Sequence, residues 1–240
     1  EINNWTMIVK DVIDFLDSYA PLKYAEDFDN VGLLVGDKKD KVKGIIVCLD
    51  STKDVINEAI NSNCNLVISF HPIIFGGIKR LSPGNYVNDA ILLAAKNEIS
   101  IFAIHTALDN SNGGVNMKLC NELGIENPKI LIPKEKTIKK LTTYIPYEYV
   151  DELKNKLFNS GAGSIGKYEN CSFTFEGIGT FKGNENSNPS IGQKLKDTNQ
   201  KEACINITYL KHLEEKVITA LRQTHPYEEI AYEIKTLENI

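Results

Sequence analysis

GIIVCLDSTKDVINEAINSNCNLVISFHP, residues 44–72, followed by SIFAIH at residues 100–105, decides the fold class. Gly44–Leu49, Leu66–Phe70 and Ser100–Ile104 are apolar, β-branched-rich runs of strand length bounded by Gly, Asn, His or charge. Ser51 or Thr52 can cap a helix through Asn61 with Val55, Ala59 and Ile60 inward. A second helix follows Pro83–Gly84, with Val87, Ala90, Ile91, Ala94 and Ala95 inward. Strands alternating with helices of about ten residues require crossover connections. The expectation is an α/β lobe of three layers around a mainly parallel sheet.

Outward from that stretch the pattern continues. Ile8, Val9, Val12, Ile13, Leu16 and Tyr19 share one helical face, and Pro21 stops that helix. Val31–Val35 is a further strand, and Gly113–Gly114 leads into a helix ending near Gly124. Residues 125–140 (IENPKILIPKEKTIKK) change character, with two prolines and a Lys-rich run, and read as a linker. A surface loop plus a strand is the alternative. The expected domains are residues 1–135 and 136–240.

Beyond the linker an internal repeat predicts a ferredoxin-like α+β domain. Strand Leu141–Ile145 leads to a helix over about 147–159, a Gly-rich turn and a strand within Cys171–Gly179. Strand Cys204–Tyr209 then leads to a helix over about 213–223 and strand Ile230–Ile234. The polar residues 183–200 read as a connecting loop.

Composition narrows the function classes. The chain has 240 residues, 42% hydrophobic and 25% charged, close to the globular average. Its net charge of -5 and lack of a basic block give no electrostatic reason to bind nucleic acid. No window approaches a membrane span, and EINNWTMIVKDVIDF lacks the basic start and long apolar core of a signal peptide. Cys48, Cys64, Cys120, Cys171 and Cys204 are widely spaced, without C-x-x-C, and read as free thiols in a reducing cytoplasm.

The chemistry concentrates on four histidines. His71 ends the strand LVISF, and the carboxyl ends of strands in an open α/β sheet are where ligands bind. His105 ends SIFAI, with Asp109 four residues on in what reads as a tight loop, HTALD. Two imidazoles and a carboxylate can converge on a divalent ion and leave a position open to water. Satisfied loop histidines are the alternative. Asp50 ends a third strand and is read as the N-cap of the next helix, in preference to an acceptor for a histidine N–H. His225 in H-P-Y-E-E, with Glu228 and Glu229, has His-x3-Glu ligand spacing but is read as shaping a turn. His212 is read as a surface residue. Gly161, Gly163 and Gly166 have G-x-G-x-x-G spacing but follow a helix, so a turn with positive φ is the better account. No Ser or Cys nucleophile constellation is legible.

YAEDFDNVGLLVGD (Tyr24–Asp37), SFHPIIF (Ser69–Phe75) and HTALDNSNGGVN (His105–Asn116) resemble successive motifs of the NIF-three-like family. Its members are also known as GTP cyclohydrolase 1 type 2 homologues or dinuclear-metal-centre hexameric proteins. GAGSIGKYENCSF (Gly161–Phe173), NPSIG (Asn188–Gly192) and HPYEEIAYEI (His225–Ile234) resemble the PII/CutA-like domain inserted in its longer members. The resemblance covers about residues 5–238.

It implies a homo-oligomer, a toroidal hexamer with trimer-type contacts through the insert and a pair of divalent metals (Zn, Mn or Fe) per subunit. Transferred residue by residue, the ligands are His71, His105 and Asp109, with Asn30 and Gly32 near the site. The family's His-His-Pro stands here as Phe70-His71-Pro72, so one ligating imidazole is replaced by a ring that holds no metal. The family's closing lobe supplies a further His-x3-Glu pair, and this chain ends at Ile240 ahead of it. The expectation is weak or single metal occupancy here and a dinuclear site only in a longer protein. The function expected is a metal-dependent hydrolase, a cyclohydrolase or phosphoesterase, acting on a nucleotide-like substrate. The alternative is a regulatory or scaffold protein binding a small molecule or partner through the PII-like domain.

Overall fold

A computed structural model describes residues 6–239 of the chain. They divide into two compact units, one ending at Lys129 and the other starting at Ile130.

The first unit contains, in order, α1 (Val9–Tyr19), β1 (Gly32–Val35), β2 (Ile45–Cys48), α2 (Lys53–Asn61), β3 (Leu66–Ser69), α3 (Tyr86–Lys96), β4 (Ser100–Ala103), α4 (His105–Asp109) and α5 (Val115–Glu122). The sheet order is β1-β4-β3-β2. β2, β3 and β4 run parallel, with Ile46, Val67 and Ile101 in register. β1 closes the edge antiparallel to β4. The sheet is therefore mixed, and mostly parallel.

Alternation along the strands gives each face its own core. Leu66, Phe102 and Ile104 meet Val9, Val12 and Ile13 of α1 on one side. Val67, Ile99 and Ile101 meet Ile56 and Ala59 of α2 and Ala90 and Ala94 of α3 on the other. Each such fully buried large side chain contributes about 1.5–3 kcal/mol of transfer free energy. These are three layers, helix on sheet on helix. Three helix faces differ from expectation, the first being that of α1, where Tyr19 is 53% exposed. Ile56 is fully buried and Ile60 is 37% exposed, because the stripe of α2 is centred on Ile56 and Ala59. Ala95 is likewise exposed. The N-cap of α2 is Thr52, whose hydroxyl accepts from the Val55 amide.

The second unit contains β5 (Ile138–Pro146), α6 (Val150–Asn159), β6 (Phe173–Lys182), β7 (Asp197–Leu210), α7 (Glu214–Thr224) and β8 (Tyr232–Thr236). The order is β6-β7-β5-β8, with every neighbouring pair antiparallel. The two βαβ halves interleave, each crossover skipping one strand, which is the ferredoxin-like topology. Leu141, Ile145, Ile205 and Ile207 of the sheet pack on Leu153 and Leu157 of α6 and on Val217 and Leu221 of α7. β7 starts at Asp197, inside the polar stretch expected to be loop. Its first residues are exposed in alternation and pair with Gly179–Lys182 of β6, so strand formation there leaves no apolar pattern.

Candidate metal centre

The sheet of the first unit brings two histidines together through its backbone. The ladders continue past the strand ends: Phe70 and His71 amides donate to Cys48 and Leu49 carbonyls, at 3.0 and 2.9 Å. Ile104 and His105 amides donate to Ser69 and Phe70 carbonyls, at 3.1 and 2.9 Å. The Ser69 hydroxyl donates to the His71 carbonyl at 2.8 Å. His71 and His105 thus emerge side by side at the carboxyl ends of β3 and β4, ring centroids 5.3 Å apart. Phe70 presents itself edge-on to both, with centroids 5.1 Å from His71 and 5.3 Å from His105. His105 opens α4 with φ +30, a left-handed backbone that a non-glycine residue adopts only at a cost of about 1–3 kcal/mol. HTALD is a short helix where a tight loop was expected.

Each imidazole is held by a carboxylate. His71 Nδ1–H donates to Asp50 at 2.8 Å, and His105 Nδ1–H donates to Asp29 at 2.9 Å. An ionised carboxylate only accepts, so Nδ1 carries a proton in each ring, and it is in the neutral form of the ring that Nε2 offers a lone pair. Asp50 therefore serves a histidine, a correction to its reading as a helix cap.

The two pairs differ in burial. The His71 and Asp50 side chains are 45% and 56% exposed, those of His105 and Asp29 18% and 0%. Asp29 is also bonded by the amides of Asn30 (2.8 Å) and Thr106 (3.1 Å) and by the Thr106 hydroxyl. Burial alone would raise its carboxyl pKa. The bonds from His105, Thr106 and Asn30 outweigh that and hold it below the usual carboxylate range. Asn30 anchors this loop by donating to the Ile74 carbonyl at 2.6 Å. Gly32 turns the chain back into β1 with φ +103.

Asp109 ends α4, one turn after His105. Burial pushes its carboxyl up, Asp29 adds to that, and His105 and His71 oppose it. The three residues singled out from sequence, His71, His105 and Asp109, thus share one electrostatic environment. In kind, the donors suit a borderline divalent cation: two imidazoles with Nδ1 engaged by carboxylate and Nε2 available, beside a carboxylate. In placement, no three His, Cys, Asp or Glu side chains among the described residues converge closely enough to hold an ion.

Sequence reading missed Asp29 and Thr106. Asp29 lies within the Tyr24–Asp37 motif, but its partners are 76 and 77 residues away. His225 lies outside this cluster. It is 7% exposed, donates from Nε2 to the Tyr144 carbonyl at 2.9 Å and accepts at Nδ1 from the Tyr227 amide at 3.2 Å. Both nitrogens are used, so it orders the turn after α7. His212 is half-buried, where a surface position was expected. Gly161, Gly163 and Gly166 all take positive φ. No disulfide links the five cysteines, and among the described residues no helix is long and apolar enough to cross a membrane.

A family model described as Duf34/NIF3 (NGG1p interacting factor 3) matches residues 7–235. A Bacillus subtilis protein named GTP cyclohydrolase 1 type 2 homolog is 36% identical over 228 residues, covering 95% of this chain and 61% of the relative. A Staphylococcus aureus protein of the same name is 39% identical over 225 residues, covering 92% and 60%. Among solved structures, a Bacillus cereus protein related to NIF3 superposes with a TM-score of 0.82 at 32% identity, over 98% of this chain and 63% of that one. The Staphylococcus aureus protein SA1388 gives 0.62 at 32% identity, over 95% and 59%. The chain spans about three-fifths of the length of these relatives. With nearly its whole described length matched by one family model, the chain belongs to the Duf34/NIF3 family.

Proposed function

We propose that the first unit binds a divalent metal ion, zinc, manganese or iron, through His71, His105 and Asp109, and that the whole protein is a metal-dependent hydrolase acting on a nucleotide-like substrate. The observation that carries this reading is the pair of imidazoles at 5.3 Å, each with its Nδ1–H held by a carboxylate. A bound divalent cation would lower the pKa of a water molecule and polarise the substrate. Asp29 and Asp50 orient the two rings and fix their tautomers. Phe70 stands beside both imidazoles, at the third corner of a near-equilateral triangle of rings, and contributes no lone pair, which favours one ion over two. The name carried by the Bacillus subtilis and Staphylococcus aureus relatives supports a purine nucleotide as substrate.

The same reading includes assembly. Phe173 and Ile178 on β6 are 69% and 71% exposed, an apolar edge suited to contacts between copies in a cytoplasmic homo-oligomer, hexameric with trimer-type contacts through this unit. Sedimentation returning a monomer counts against that part.

The metal assignment is tested by elemental analysis after exposure to Mn²⁺, Zn²⁺ or Fe²⁺ and gel filtration. One loosely held ion per chain is expected, and none in His105→Ala. Two tightly held ions per chain refute the single-ion assignment. A longer family member that stays inert on GTP with each metal present refutes the hydrolase assignment.

A further inference from the structure

The second unit carries a cavity of about 610 Å³ on the sheet face opposite α6 and α7, a volume typical of small-molecule sites. Tyr144, Phe175, Phe181 and Tyr227 supply aromatic walls, and Ile191 closes one side from the 183–196 loop. That loop is tied down: the Asn188 amide donates to Glu228 at 2.7 Å and the Leu195 amide to the Gly183 carbonyl at 2.7 Å.

At the base lies Glu202, 7% exposed. The Tyr227 hydroxyl donates to its Oε1 at 2.6 Å. Burial and the adjacent carboxylate push the Tyr227 phenol well above its usual pKa, so it stays a donor. No donor among the described residues bonds Oε2. Instead Oε2 lies over Gly179, where a Cβ would stand only 2.2 Å away. Glycine at 179 thus keeps the carboxylate's place open. Glu202 lines the cavity, so Oε2 is the oxygen left to accept a charge-assisted hydrogen bond from a cationic ligand there. Glu228 and Glu229 also line the cavity, against the single ammonium of Lys182. This balance disfavours anionic ligands, nucleotides included.

We infer that this cavity binds a small organic cation, an amine or guanidine carrying an apolar or aromatic body. The charged head meets Glu202 Oε2, and the body lies against Phe175, Phe181 and Tyr227, whose ring faces attract cations. Its lining residues all belong to the second unit, so the inference stands whether or not the hydrolase reading does.

The test uses three probes with one ring and different heads: phenethylamine, 2-phenylethanol and phenylacetate. Binding to the full chain is followed by ligand-observed NMR, and its location by amide shifts. Phenethylamine is expected to bind and to shift the amides of Gly177–Lys182 and Tyr227. The alcohol is expected to bind about tenfold more weakly, since a charge-assisted bond is lost, and the carboxylate not at all. Glu202→Gln is expected to remove the preference for the amine, while His105→Ala leaves it unchanged. The probe comparison on the unaltered chain decides the matter even where Glu202→Gln does not fold. Equal binding of amine and alcohol, shifts confined to another region, or no phenethylamine binding because self-association covers this face each overturn the inference.

Discussion

Asp29 and Asp50 make the same bond to a histidine, at 2.9 and 2.8 Å, in opposite surroundings. Replacing each by alanine therefore separates geometry from burial. Asp29→Ala removes the acceptor for His105 Nδ1–H, for the Thr106 and Asn30 amides, and for the Thr106 hydroxyl. The hydroxyl can rotate, and the half-buried Asn30 amide can take water. Two donors then remain dry, each costing about 1–3 kcal/mol, or about 3 kcal/mol together once relaxation is allowed. A loss of that size lowers the unfolding midpoint by roughly 10 °C for a unit of this length. Asp50→Ala breaks a bond between groups 45% and 56% exposed, where water replaces the lost acceptor. Its cost is held to about 0.2–1 kcal/mol, as for exposed pairs. Asp29→Asn keeps the shape and one acceptor oxygen but sets an NH₂ against a donor, and falls between, at about 1–2 kcal/mol. Urea and thermal unfolding followed by circular dichroism measure all three. Equal destabilisation by Asp29→Ala and Asp50→Ala, or a loss below about 1 kcal/mol for Asp29→Ala, refutes the claim that burial makes Asp29 the stronger anchor.

Other predictions concern the second unit. Burial holds the His225 pKa below its ordinary 6.5, only partly offset by the Tyr144 carbonyl and Glu202. The unfolded chain therefore binds more protons, and the contribution of neutral His225 is present above pH 6.5 and lost as pH falls through the lower folded value. Unfolding midpoints should drop on acidification, and His225→Asn should flatten that part of the profile; an unchanged slope refutes it. Gly163→Ala adds a Cβ at φ +82, 2.9 Å from the Cys171 carbonyl oxygen and the Phe158 ring. It should cost about 1–3 kcal/mol in denaturant midpoints. Leu221→Ala, fully buried between α7 and the sheet, should cost about 2–5 kcal/mol, read by the same melts.

The elements legible in the sequence are those whose burial is one-sided or complete. Leu66–Ser69 and Ser100–Ala103 are buried almost throughout, so they appear as unbroken apolar runs, as central parallel strands must. β1 was legible as a strand, but its direction was not. Nothing in GLLV distinguishes antiparallel closure of an edge from another parallel addition. The start of β7 was illegible because its residues are held by backbone pairing to β6, on a strand that carries two glycines. Such pairing needs no apolar side chain, and residues 197–201 carry none.

The candidate site was legible in its donors and illegible in its supports, for one physical reason. Donors stand at strand ends, where a polar residue interrupts an apolar run and is conspicuous. Supports are reached across the fold and obey no local spacing. Asp50 shows this most plainly, since the same position two residues before a capped helix suits a cap or a histidine acceptor, and only the sheet decides. β2 lies beside β3, and its ladder continues through the Leu49 carbonyl to the His71 amide, which sets Asp50 against the imidazole. The supports also make the two imidazoles unequal. His105 is 18% exposed, starts its helix at a strained φ, and leans on a carboxylate with no exposed surface. His71 and its partner face solvent. Strain retained at a residue requires surroundings that over-determine it, and Asp29, bonded from both sides of the His105–Thr106 peptide, is that determination. His105 is thus the preorganised half of the pair and His71 the adjustable half. A site holds its groups in place through such supporting bonds, and here that support is firmer at His105 than at His71.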